Sequence, residues 1–135
     1  AFRLNSERLL ISFLRHEAQH YADYKCFPQL GPNDLEYRAK LAELSSAKRT
    51  AKSLVESFAL RANSKNRKHP HAFANYCVVR DLSKKILGRD DFQALIKNPN
   101  LLTSRRINET SRELLLEHSK HLRAKGARRV RSLIS

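Results

Sequence analysis

Residues 16–44 read HEAQHYADYKCFPQLGPNDLEYRAKLAEL. The stretch is two helical patterns joined by a turn. Phe27-Pro28 ends the first, because the residue before a proline is pushed out of the helical region. Gly31-Pro32-Asn33-Asp34 is a turn, and Asn33 or Asp34 is placed to cap the second helix. The expected unit is therefore a helical hairpin. Working back, the first helix is expected over about residues 5–25. Asn5 or Ser6 would cap it, and Glu7 stands in the first turn, where the helix dipole favours an anion. Leu9, Leu10, Phe13 and Leu14 fall at helical spacing as its apolar stripe.

Downstream, Leu35, Ala39, Ala42, Leu54, Val55 and Phe58 keep a helical period to about Ala62, with a break near Ser45-Ser46. Residues 63–71, NSKNRKHPH, read as a basic loop. A helix over about 71–87 carries Phe73, Tyr76, Cys77, Val79 and Ile86, and Gly88 stops it. Asp90 is placed to cap a short helix ending near Lys97. The last helix spans about 104–125, Gly126 ends it, and the tail ARRVRSLIS is expected to fray. No stretch alternates apolar and polar residues as a half-buried strand would. The fold class is all-α, a bundle of about four to five helices with HExxH on the first long helix. The 135 residues suit one domain. Residues 1–62 form the candidate metal-site hairpin and 63–135 a basic helical part.

Composition narrows the function classes. The chain is 41% hydrophobic, enough for a core, and no run approaches the roughly 18 apolar residues of a membrane span. Two cysteines, Cys26 and Cys77, do not make a disulfide scaffold and read as reduced thiols. The opening AFRLNSERLL shows no signal-peptide pattern, so the expected location is cytoplasmic. The formal net charge is +14. Residues 1–60 hold 9 basic and 7 acidic side chains, residues 61–135 hold 18 and 6. That asymmetry suggests contact with a polyanion, above all through residues 105–131, or a merely solvated basic face. Glu109 is placed to pair with Arg105 or Arg112, and Glu113 with Lys120. His118 and His121 read with this basic face. The segment has no aromatic interleaving of the kind that stacks bases.

The chemistry lies in the less charged part. His16-Glu17-Ala18-Gln19-His20 is HExxH. Positions i and i+4 share one helix face, so both imidazoles can bind one zinc ion, and Glu17 can reach a water in an open zinc position. With 6 His and 8 Glu in the chain, random placement yields about 0.02 matches. The competing reading is a pair of histidines satisfied in a helix interface. A catalytic zinc needs a third protein ligand. The metzincin continuation HExxHxxGxxH would require Gly and His where Asp23 and Cys26 stand. Glu36, sixteen positions after His20 on the first turn of the second helix, is favoured over Glu43, two turns on along the same face. Glu43 otherwise supports a ligand histidine or forms a salt bridge. Asp23 can accept a hydrogen bond from a ligand histidine, and Arg38 can pair with Asp23 or with the ligand carboxylate. His69, His71 and Tyr76 are candidate oxyanion donors, none favoured.

His16–His20 with Glu36 resembles the gluzincin branch of the HExxH zinc metallopeptidases, the zincins. HEA-x-H, the Asp-Tyr pair that follows and LEYRAKLxEL also resemble a group of little-characterised bacterial HExxH proteins. The resemblance covers about residues 8–47. It implies zinc held by His16, His20 and Glu36, Glu17 as general base and a peptide or protein substrate. Gluzincins usually place a β-sheet before the HExxH helix. Here the motif starts sixteen residues in, so the expectation is either a fragment of a longer protein or a minimal helical scaffold. The alternatives are a basic helical module that binds nucleic acid or an acidic protein, and a degenerate, non-catalytic metallopeptidase scaffold.

Overall fold

The computed structural model describes residues 7–134, with the side chains of residues 8, 9 and 11 outside the description. The expected caps Asn5 and Ser6 and the side chain of Leu9 lie outside the described residues. Arg8–Arg15 winds as a π-helix and runs straight into the helix α1, His16–Cys26. There follow α2 (Pro32–Ser46), α3 (Ala51–Leu60), α4 (Pro70–Leu87), α5 (Phe92–Ile96) and α6 (Ser104–Ala124). No strand occurs among the described residues, so the chain is an all-helical bundle. No described helix is long and apolar enough to cross a membrane.

The hairpin forms as the sequence predicts. Phe27 leaves helical geometry at φ −134° and its ring is buried. Pro32 opens α2 at a position where its missing N–H costs nothing. The cap is Gly31, with neither Asn33 nor Asp34 accepting from the first turn. α2 is the central helix. From Asp34 through Ser45 almost every side chain is buried, because α1, α4 and α6 pack around it. Leu41 and Leu44 join Val55, Phe73, Val78, Leu82, Ile107 and Leu114 in one core. Residues of the hairpin and of the basic part thus meet in the same apolar core.

The expected break after α2 falls at residues 47–50. Asn108 of α6 donates from Nδ2 to the carbonyls of Leu44 and Ala47 (2.6 and 2.7 Å), satisfying groups that the helix end leaves open. Glu7 accepts from the backbone N–H of Lys48 and Arg49 (2.7 and 2.9 Å). Gly88, at φ 83°, ends α4 as expected. Asp91, not Asp90, caps α5, accepting from Ala94 N at 3.1 Å. Thr103 caps α6.

Further expectations are overturned. Leu10, Phe13 and Leu14 are 54%, 59% and 52% exposed, so they are not a buried stripe. The face of α1 that meets α2 is polar, with His16, Gln19 and Asp23 buried. The C-terminal tail is docked, not frayed. Val130 packs with Phe27, Leu30, Leu35 and Leu122. Gly31 N–H donates to Arg131 O at 2.8 Å, and a Cβ at Gly31 would meet that oxygen at 3.2 Å. His118 does not join the basic face. It is 6% exposed, between Asp34 and Arg38. The Arg105–Glu109 pair forms at 3.0 Å, whereas Glu113 lies 4.0 Å from Lys85 and Lys85 pairs with Glu117.

Candidate metal centre

One turn of α1 separates His16 from His20, and their Nε2 atoms approach to 3.0 Å. The first turn of α2 delivers Glu36 to the same point. Glu36 Oε2 lies 3.1 Å from His16 Nε2, and Oε1 lies 2.9 Å from His20 Nε2. Ligand atoms of these three residues all lie within 4.8 Å of one another.

The donor set fits a metal ion. Two ligands at zinc distances of about 2.0–2.1 Å in a tetrahedron stand about 3.3 Å apart, close to the separations seen here. Protons alone satisfy the cluster poorly. Buried Glu36 Oε2 makes no hydrogen bond with His16 Nε2 although it lies 3.1 Å away.

Glu43 settles the orientation of His16. Its carboxylate takes the hydrogen bond from His16 Nδ1. A carboxylate only accepts, so Nδ1 carries a proton and Nε2 faces Glu36 and His20. Of the two glutamates weighed from sequence, Glu36 joins the cluster and Glu43 supports His16 from behind. Burial pulls the His16 pKa down, but its close contacts with the Glu36 and Glu43 carboxylates outweigh that and raise it to about 9. Burial likewise pushes Glu36 up, and His16, His71 and His20 override it, holding the carboxyl at about 2.

Asp23 departs from expectation. It is 1% exposed and binds no ligand histidine. It accepts from Gln19 Nε2 at 3.0 Å and pairs with Arg38 Nε at 3.0 Å. Arg38 is buried too, and its guanidinium also donates to His118 Nδ1 (3.1 Å) and Ser119 Oγ (2.8 Å). Since Arg38 only donates, His118 Nδ1 accepts, and its Nε2–H points to Asp34 Oδ2 at 3.2 Å. Asp34 also accepts from the backbone N–H of Leu133 and Ile134 (2.9 and 3.1 Å). A chain of buried polar groups thus ties α1 to α2, to α6 and to the tail. Arg38 makes the structural salt bridge with Asp23 and does not touch Glu36.

Glu17 is exposed and points into a cleft of about 470 Å³ beside His16. It makes no hydrogen bond or ion pair with a described residue. His71, at the start of α4, also lines the cleft, with Nδ1 3.2 Å from Glu36 Oε2. Of the three downstream donors considered from sequence, His71 alone reaches the cluster. His69 lines a neighbouring hollow by residues 60–72 that shares Arg61 and His71 with this cleft. Tyr76 packs on Phe73. Cys26 is exposed at the end of α1 and lies outside the ligand group; Cys77 is buried, which pushes its thiol to about 11. Lys40 and Arg61, which also line the cleft, were not singled out from sequence. Lys40 had a signal, four residues after Glu36 on the same helix face.

The chain matches no protein-family model, no curated protein and no solved structure.

Proposed function

We propose that this chain is a zinc-dependent hydrolase of the metallopeptidase type, with His16, His20 and Glu36 as ligands and Glu17 as general base. The observation that carries the reading is the convergence of three ligand groups from two helices, with a carboxylate next to one of them facing an open cleft. An HExxH sequence alone does not require the glutamate of a following helix to arrive at the same point. When bound, zinc supplies Lewis acidity that makes water and a scissile carbonyl reactive near neutral pH. Glu17 takes the proton from the attacking water and hands it to the leaving amine. His71 stands at the cleft as a donor for the negative charge that develops on the substrate. Glu43 fixes the His16 ring, and the Asp23–Arg38 pair fixes the helix that carries both histidines.

The test is metal content per chain after metal-replete preparation and desalting. The expected result is one zinc per chain, lost in His16→Ala and Glu36→Gln. Glu17→Ala should keep the zinc and lose hydrolysis of a quenched-fluorescence peptide library. A chain that never holds stoichiometric metal overturns the reading.

A further inference from the structure

The cleft beside His16 also carries a cation. Lys40 lines it and is only 6% exposed. Its ammonium lies 4.8 Å over the Phe58 ring. It forms no hydrogen bond or salt bridge with any described residue, although lysine is rarely buried without a partner. Burial disfavours the Lys40 charge, Glu43 and Glu36 favour it, and Arg61, exposed in the same cleft and paired with no described residue, disfavours it. Ser12 Oγ, also lining the cleft, is buried without a partner. Leu54 and Phe58 supply an apolar surface between these groups. Two cations that make no hydrogen bond or salt bridge with a described residue and a buried hydroxyl without a partner, set beside an apolar wall, leave donors free for an anion in a cleft that Glu17 and Glu43 also line.

We propose that this cleft binds the free C-terminal carboxylate of a peptide, with Lys40 and Arg61 as its cationic partners and the terminal side chain against Leu54 and Phe58. This deepens the hydrolase reading and rests on it, because it makes the enzyme a carboxypeptidase in type. Lys40 lies one helical turn from Glu36 and nearly one from Glu43, so a carboxylate held there places the last peptide bond near the ligand cluster. A purely apolar or neutral ligand would leave both cations unpaired and would gain nothing from them.

The experiment uses the full chain treated with chelator, so that binding is read without metal and without turnover. The probes are N-acetyl-Leu-Phe, the same peptide as its C-terminal amide, and inorganic phosphate, each titrated by calorimetry or NMR. The acid should bind about 10- to 100-fold tighter than the amide, the scale of a hydrogen-bonded charge. Lys40→Met should abolish that preference. Methionine keeps most of the buried stem that packs on Phe58, so the variant should fold and melt within a few degrees of the parent chain. Equal binding of acid and amide overturns the proposal, as does a preference that survives in Lys40→Met. Phosphate binding tighter than the acid also overturns the assignment to a peptide carboxylate. A preference seen in a chain that takes up no zinc upholds the carboxylate site and sinks only the hydrolase reading. Stoichiometric zinc without the preference does the reverse.

Discussion

Arg38→Met should be the most destabilising single change that leaves the apolar core untouched. Arg38 is 4% exposed, with its guanidinium 4.9 Å from the Phe27 ring, and methionine can replace much of the buried stem. The charge is not replaced. Asp23, 1% exposed, would keep only the hydrogen bond from Gln19, and His118 Nδ1 and Ser119 Oγ would each lose a donor. Removing one partner of a buried ion pair costs about 3–5 kcal/mol, because the other charge is left uncompensated. Against a total of about 5–15 kcal/mol for a domain, that is a large share. At about 3–5 °C per kcal/mol for a chain of this size, the melting temperature should fall by about 10–25 °C. The assay is thermal unfolding by circular dichroism in chelator at neutral pH, so that metal does not enter. Adding Asp23→Asn to Arg38→Met should recover part of the loss, since it removes the stranded charge. A fall below about 1 kcal/mol, or a double variant whose loss is simply additive, would refute the claim that this pair anchors α1.

Other predictions follow from the same groups. In the metal-free chain the His16 pKa is raised to about 9 from an ordinary 6.5, so its stabilisation is complete below about pH 6.5 and is lost as pH rises through about 9. Glu36, lowered from an ordinary 4.5 to about 2, stabilises above about pH 4.5, and that contribution is lost as pH falls through about 2. Urea midpoints should therefore peak between about pH 4.5 and 6.5, and a midpoint that stays flat from 6.5 to 9.5 would contradict the His16 assignment. Glu43→Gln should weaken zinc binding about 10- to 100-fold in a chelator competition, since it neutralises the acceptor behind a ligand histidine; unchanged affinity would remove Glu43 from the site. Asn108→Ala strips the donor from two carbonyls at the end of α2 and should cost about 2 kcal/mol or more by urea denaturation. A loss under about 0.5 kcal/mol would mean that water serves those carbonyls equally well.

What could be read from the sequence was local or set by helical register. Phe27-Pro28 and Gly31-Pro32 punctuate the hairpin through backbone sterics that act within a few residues. Glu36 could be placed near His20 because a short turn returns the second helix to the end of the first. The side of α1 that is buried could not be read in the same way. Its apolar residues pointed to Leu10, Phe13 and Leu14, and the structure exposes them. Burial instead follows Gln19 and Asp23, whose partners are Arg38 and, through it, His118, and hydrophobic periodicity carries no information about such pairings. His118 shows where a usable signal was overridden. Ile107, Ser111, Leu114, His118 and Leu122 follow the i, i+4, i+7, i+11, i+15 rhythm of a buried stripe, and all five are buried. Its neighbours Lys120 and Arg123 suggested a basic face because they are near in sequence, but they point elsewhere on the helix. The tail was unreadable for a different reason. Its docking depends on Asp34, 84 residues before the carboxylate's histidine partner and farther still from Leu133 and Ile134. Asp34 looks like a helix cap in sequence because an aspartate at a turn usually binds its own next N–H groups. Here Gly31 takes the cap position, and the freed carboxylate recruits backbone from the far end of the chain. The His16, His20 and Glu36 cluster therefore sits on a helix pair whose geometry is held by polar contacts between segments distant in sequence, and the Arg38 and Asp23 variants test that dependence directly.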